Sequence, residues 1–148
     1  MDKHEAFMRK ALALAQEAYD DGEVPVGAVI VRDGEIVAVG RNRREKAKNA
    51  LLHAETDAIN NACRALGGWR LWNCALYVTL EPCPMCAGAV INAHIPEVYF
   101  GAYDFKNGSC GSITDLFAMP YNFKPHCEGG ILQEECSALL KSFFKTLR

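Results

Sequence analysis

His53, Glu55, Cys83 and Cys86 are the residues of this chain best suited to chemistry, and their order suggests what that chemistry is. His53-Ala54-Glu55 and Pro82-Cys83-Pro84-Met85-Cys86 together offer one imidazole, two thiols and a further carboxylate. An imidazole and two thiolates make three ligands for a zinc ion. A structural zinc site closes four positions with protein atoms, whereas a catalytic site keeps one position for water. Zinc lowers the pKa of such a water from ~15.7 towards ~7. Glu55 lies close to a ligand in sequence without being needed as one. It can take the water's proton and return it to a ring nitrogen, then to a departing amine. The residues therefore suit hydrolytic attack on a purine or pyrimidine ring. Taken alone, each motif has other readings. Cys-x-x-Cys also serves as a redox pair or as half of a structural zinc knuckle, and His-x-Glu is common by chance.

These side chains need rigid elements to hold them. Cys83 and Cys86 are spaced i, i+3, which is one face of a helical first turn. Pro82 and Pro84 mark a helix entrance, where proline's missing N–H matters little. Leu51–Leu66 reads as a helix, with Leu51-Leu52-His53 leading into its apolar-periodic run and Gly67-Gly68 stopping it. Two helix starts would then turn their positive ends towards the metal, favouring thiolate and hydroxide. Elsewhere, Phe7, Ala11, Leu14, Ala15 and Ala18 share one face of a first helix. Asp33-Gly34 between the apolar runs Val26–Val31 and Ile36–Gly40 signals a hairpin. Cys74–Leu80 and Pro96–Ala102 read as strands, Met85–Ala93 as a helix and Gly108–Pro125 as loop with a helical turn near Asp115. A last helix is expected over Leu132–Lys145. Helices alternating with strands after a hairpin predict a three-layer α/β domain whose central sheet is mixed. Ligands bind at the C-terminal strand ends of such sheets, where both motifs fall.

Composition sets limits. With 148 residues, 50% hydrophobic and 23% charged, the chain reads as one domain, 1–148, able to bury a substantial core. No apolar run of about 18 residues is present, so no membrane span is expected. Nor does the N-terminus carry a secretory pattern, and the cytoplasm is the expected location. Of seven cysteines, Cys63, Cys74, Cys110, Cys127 and Cys136 remain after the two metal candidates. They read as small buried hydrophobes in a reducing compartment rather than as disulfides. A net charge of −2 leaves no global nucleic-acid footprint. Arg41, Arg43, Arg44, Lys46 and Lys48 nonetheless cluster just before His53, where they could be a solvated loop or could meet phosphate. Lys141, Lys145 and Arg148 add charge at the C-terminus.

In this order, with Pro82 beside the first cysteine, the motifs match the zinc-deaminase signature His-x-Glu…Pro-Cys-x-x-Cys. The chain resembles the cytidine deaminase-like superfamily and, within it, the bacterial tRNA adenosine deaminases (TadA type), nearly end to end. The matching stretches include Glu23–Val29, Asn42-Arg43, His53–Glu55, Val78–Ala89, Phe100–Gly108 and Gly130–Leu132. Glu81-Pro82-Cys83-Pro84-Met85-Cys86 is a core shared with several purine deaminases. The Phe-Gly-Ala-x-Asp-x-Lys-x-Gly stretch from Phe100 is more particular to the tRNA enzymes.

That resemblance implies a three-layer α/β/α fold with about five strands and one zinc ion per chain. It implies deamination of adenosine to inosine at the wobble position of a tRNA anticodon loop. Zinc-bound hydroxide would attack C6 of the flipped adenine, with Glu55 as the proton shuttle. A homodimer binding RNA near its subunit interface is implied too. By position, Asn42 would hydrogen-bond the nucleoside, the Ala54 N–H would hold the base, and Val26 would line the pocket. Asp104 would contact a neighbouring sugar, Lys106 a phosphate, and Phe144 with Lys145 would close over the loop. By residue type alone, Asn42 could instead close the hairpin, and Asp104–Gly108 could be only a turn. Lys106 could be a plain surface lysine. Phe143 and Phe144, being adjacent, should split between core and surface. The chain departs from the family at Asn49-Ala50-Leu51-Leu52, Thr56 and Gly129, which bear on helix entry and pocket walls. Two alternatives stand beside this reading. One is a guanine, cytosine or nucleotide deaminase with the same zinc mechanism; the other is a non-catalytic zinc-stabilised RNA-binding module.

Overall fold

The computed structural model describes residues 2–147. Its first helix, α1 (Lys3–Asp20), starts at Asp2, whose side chain accepts from the Glu5 N–H at 3.0 Å. Its buried face is Met8, Ala11, Ala15 and Ala18; Phe7 and Leu14, half-buried, pack against the same core as expected, and Met8 joins them. Asp33 (φ 52°) and Gly34 (φ 78°) make the tight turn between β1 (Gly27–Arg32) and β2 (Glu35–Arg41). Both residues at positive φ is the hairpin turn that Asp-Gly favours.

The sheet runs β2-β1-β3-β4-β5, with β3 (Cys74–Leu80), β4 (Glu97–Ala102) and β5 (His126–Glu128). β1 pairs antiparallel with β2 and β3, and β3, β4 and β5 are mutually parallel. The expected mixed, five-stranded sheet is thus present. Its fifth strand had no signal in the sequence, because His-Cys-Glu is too short and too polar to alternate visibly.

Each face of the sheet carries its own core. On one side α3 (Ala54–Leu66) and α4 (Pro84–Ala93) bury Ala58, Ala62, Ala87 and Val90 against Ile30, Leu76, Val78 and Phe100. On the other, α1 and α5 (Gln133–Thr146) bury Met8, Ala11 and Cys136 against Val29, Val31, Tyr77 and Tyr99. Residues buried on both faces explain the continuous apolar runs of the central strands. Small residues let the layers close up. A Cβ on Gly40 would sit 2.4 Å from the Ala54 carbonyl oxygen and the Ala58 nitrogen, so α3 lies directly on β2.

Two boundaries differ from the sequence expectation. α3 begins at Ala54 rather than Leu51, since Leu51 and Leu52 form the turn that leads into it. A four-residue helix, α2 (Arg44–Ala47), occupies the basic segment; the buried Glu23 carboxylate accepts from the Glu45 and Lys46 N–H groups at 3.0 and 2.8 Å. No helix among the described residues is long and apolar enough to cross a membrane.

Candidate metal centre and substrate cleft

The metal candidates sit at two helix starts that face each other. His53 is the N-cap of α3 and Cys83 the N-cap of α4, with Pro84 and Cys86 in the first turn of α4. Thr56 holds the first of these starts: its Oγ1 accepts from the His53 N–H at 3.1 Å and donates back to the Leu51 and His53 carbonyls. Thr56, a departure from the family, therefore acts as a helix cap. Thr–N-cap reciprocity is a known start signal, which the sequence reading passed over because the usual partner is Glu or Gln.

His53 Nδ1 lies 3.6 Å from Cys83 Sγ and 3.6 Å from Cys86 Sγ. All three ligand atoms are within 4.8 Å of one another. Zinc–sulfur and zinc–nitrogen bonds of about 2.3 and 2.0 Å place neighbouring tetrahedral ligands ~3.5 Å apart. The two separations from His53 match that spacing, and the donor chemistry of the three side chains fits zinc. A hydrogen bond from Cys86, then one from His53, brings the Cys83 thiol down to about 4, while that same hydrogen bond to Cys83, and then burial, pushes Cys86 far up. A coordinating thiol loses its proton outright to a bound zinc.

Glu55 follows in the first turn of α3, only 4% exposed. Burial pushes its carboxyl up to about 7. A group that exchanges protons near neutrality is what a proton shuttle requires.

A cleft of ≈ 700 Å³ opens over these residues, within the usual range for ligand sites. Val26, Asn42, Asp104, Lys106 and Phe144 all line it, with His53, Glu55 and Cys83 at its floor. Val26 is buried and Phe144 is 47% exposed at the rim. Phe143, its neighbour, is buried in the core, so the two phenylalanines divide as their adjacency predicts. The Ala54 N–H donates to Asn42 Oδ1 at 3.0 Å, so the two residues expected to meet the nucleoside are joined to each other. Asn42 thereby spans β2's end and α3's start, and its amide nitrogen is the group left to reach a substrate. Asp104 is both turn and wall. Its Oδ1 accepts from the Lys106 and Asn107 N–H groups while the residue lines the cleft.

The basic cluster is largely spent on acids. Arg41 pairs with Asp21 at 2.6 Å, Arg43 with Asp57 at 3.0 Å and Lys46 with Asp21 at 3.2 Å. Arg44 instead lines the cleft. Arg148 lies outside the described residues. The sequence places Glu81 in the shared core but gives it no role. Its carboxylate, 2% exposed, accepts from the Asp104, Cys110 and Ser112 N–H groups at 3.0, 3.1 and 3.0 Å and from the Ser112 hydroxyl. It ties the rim segment 104–112 to the turn that carries Cys83. A glutamate just before Pro-Cys was visible in the sequence, but its burial was not.

Residues 1–102 match the cytidine and deoxycytidylate deaminase zinc-binding region. The chain belongs to this family. It is a zinc-dependent deaminase by descent, and the ligand geometry agrees with that. Along its whole length it is 46% identical to a tRNA-specific adenosine deaminase of Bacillus subtilis (strain 168), covering 92% of that protein. A solved structure described as a study of A-to-I editing by tRNA:A34 deaminases superposes with a TM-score of 0.88 at 41% identity, over 90% of this chain and 98% of that one. A guanine deaminase from Nitrosomonas europaea shares the fold at TM-score 0.79 and 26% identity, over 94% of this chain and 83% of its own. The fold is therefore common to relatives whose described substrates differ.

Proposed function

We propose that this deaminase, a single domain, converts adenosine to inosine at the wobble position of a tRNA anticodon loop, with water consumed and ammonia released. His53 Nδ1, Cys83 Sγ and Cys86 Sγ would hold one zinc ion. Bound there, zinc supplies Lewis-acid activation of water at neutral pH. The Glu55 carboxylate receives the proton lost by the water. It passes that proton to the ring nitrogen beside C6, then takes the proton of the hydroxyl now on C6 and gives it to the leaving amine, so that one of water's protons stays on the ring and the other leaves in ammonia. The Asn42 amide nitrogen orients the nucleoside, Val26 packs against the base, and Asp104 faces the sugar of the adjoining nucleotide. Phe144 closes over the loop.

The observation that carries the RNA reading is the rim of the cleft. Tyr103, Phe105 and Phe144 are exposed there, and Lys106 and Arg44 stand beside them. Aromatic faces interleaved with cations suit a splayed single strand, whose bases stack and whose phosphates need charge. A site for a free base has no use for that collar. The non-catalytic alternative fails to account for Glu55, a buried carboxylate kept beside a metal site that has only three protein ligands. We also propose a homodimer in the cytoplasm. Ile113, Met119 and Tyr121 expose apolar surface that a second copy would cover, and all seven cysteines are free thiols.

The test is inosine formation in an anticodon stem-loop carrying one loop adenosine, beside guanine, cytosine, cytidine and adenosine. Inosine in the stem-loop is the expected result. Turnover of guanine or cytosine without stem-loop activity would assign the chain to the small-molecule deaminases. Light scattering reads the dimer directly.

A further inference from the structure

Among the side chains of the cleft, Phe105 is the least explained. It is 79% exposed, more than any other large hydrophobic residue among those described. It does not hang from a slack loop. The Glu81 carboxylate holds the Asp104 N–H at 3.0 Å, and Asp104 Oδ1 holds the Lys106 and Asn107 N–H groups at 3.0 and 3.1 Å. Asp104 also accepts from the Gly108 N–H at 2.8 Å through its carbonyl, closing the turn beneath Phe105. A Cβ on Gly108 would fall 2.4 Å from the Glu81 carboxyl carbon, so the turn is packed onto its clamp.

The ring beneath Phe105 is fixed as well. Tyr103 stands edge-on against the buried Phe100, with centroids 5.0 Å apart and planes at 86°. Phe105 lies 15° from parallel to Tyr103, at a centroid distance of 6.5 Å. The outer part of this pair is open to solvent, at the mouth of the cleft. Lys106 follows directly and takes part in none of the ion pairs among the described residues. An aromatic surface ordered in advance loses little freedom on binding, which is the condition for useful stacking.

Resting on the RNA reading above, we infer that Tyr103 and Phe105 form a stacking subsite for the unpaired base next to the target adenosine, with Lys106 on the phosphate between them. The subsite is continuous with the cleft, and its cation and aromatic faces match one nucleotide. It takes any base, because every base has a flat face, and so it adds affinity for single-stranded loops without reading their sequence.

The experiment compares wild type with Phe105→Ala and Phe105→Trp on the anticodon stem-loop and on versions with an abasic site at each position beside the adenosine. Phe105→Ala should raise KM about tenfold, with the effect on KM rather than kcat, and Phe105→Trp should restore it. An abasic site on one side should raise the wild-type KM equally and add nothing in Phe105→Ala. An unchanged KM in Phe105→Ala overturns the subsite, as does a loss that persists undiminished with every abasic stem-loop. A fall in molar mass of Phe105→Ala by light scattering would assign the ring to a second copy of the chain and overturn it too. A wild type that makes no inosine overturns the RNA reading itself, and the subsite with it.

Discussion

Glu55 and Glu81 are two carboxylates buried to nearly the same degree, at 4% and 2% exposure, and they serve opposite ends. Glu81 accepts from three N–H groups and a hydroxyl, so its charge is spread over fixed donors and its position is set. Glu55, at the floor of the cleft, has no comparable set of donors, and burial pushes its carboxyl up to about 7. The carboxylate held by four donors is a clamp; the one that burial raises is the proposed proton carrier. The difference lies in what surrounds each residue, since their chemistry is the same.

The comparison can be broken most severely at the metal, which both residues presuppose. Cys86→Ser should abolish turnover and drop zinc below one per chain by atomic absorption. It should also lower Tm, because the ion ties the starts of α3 and α4 together. A variant still holding one zinc would remove Cys86 from the ligand set.

Making the same substitution at each glutamate sharpens the contrast. Glu55→Gln should lower kcat by about 10²–10⁴-fold, the range for a lost general acid–base. Zinc content should be unchanged, and Tm equal or higher. Full activity in that variant would end its role as proton shuttle. Glu81→Gln should do the reverse. Its amide cannot accept from every donor the carboxylate now serves, leaving buried N–H groups unsatisfied at ~1–3 kcal/mol each. Calorimetry should find a lower Tm, and KM should rise on the order of 10- to 100-fold as the rim shifts. A kcat loss as deep as that of Glu55→Gln would make Glu81 part of the chemistry.

The smallest effect tests the rim from below. Gly129, one of the departures from the family, lies over the Phe100 ring, and a Cβ there would come within 2.3 Å of it. Gly129→Ala should destabilise by about 1–3 kcal/mol in denaturant titration through overpacking, with zinc content untouched. An unaffected midpoint would show that Phe100, on which Tyr103 rests, can move.

The legible parts of this molecule were those whose signals are local. Asp33-Gly34 announces its hairpin because positive φ is demanded of both residues. The ligands announce themselves because thiolate spacing on a helix turn is set by the helix. The α1 face came out as Ala11, Ala15 and Ala18 predict, with Met8 added, because burial extends over a wider stripe than the residues chosen from the period. β5 was hidden, because three residues, His126 to Glu128, join the sheet through β4's backbone and owe little to their side chains.

The sequence by itself determined the reaction: three ligands and one unligated glutamate, in an order that calls for zinc hydrolysis of a ring amine. Tertiary structure decided how the rest is used. It turned the Ala54 N–H to Asn42 and paired Arg41, Arg43 and Lys46 with acids from α1 and α3, leaving Arg44 at the cleft. It also surrounded one buried glutamate with four donors and set the other in the wall of the cleft. The reason is that coordination spacing is written along a few residues of chain. Burial and hydrogen-bond partners are set by whichever segments, distant in sequence, the fold brings together.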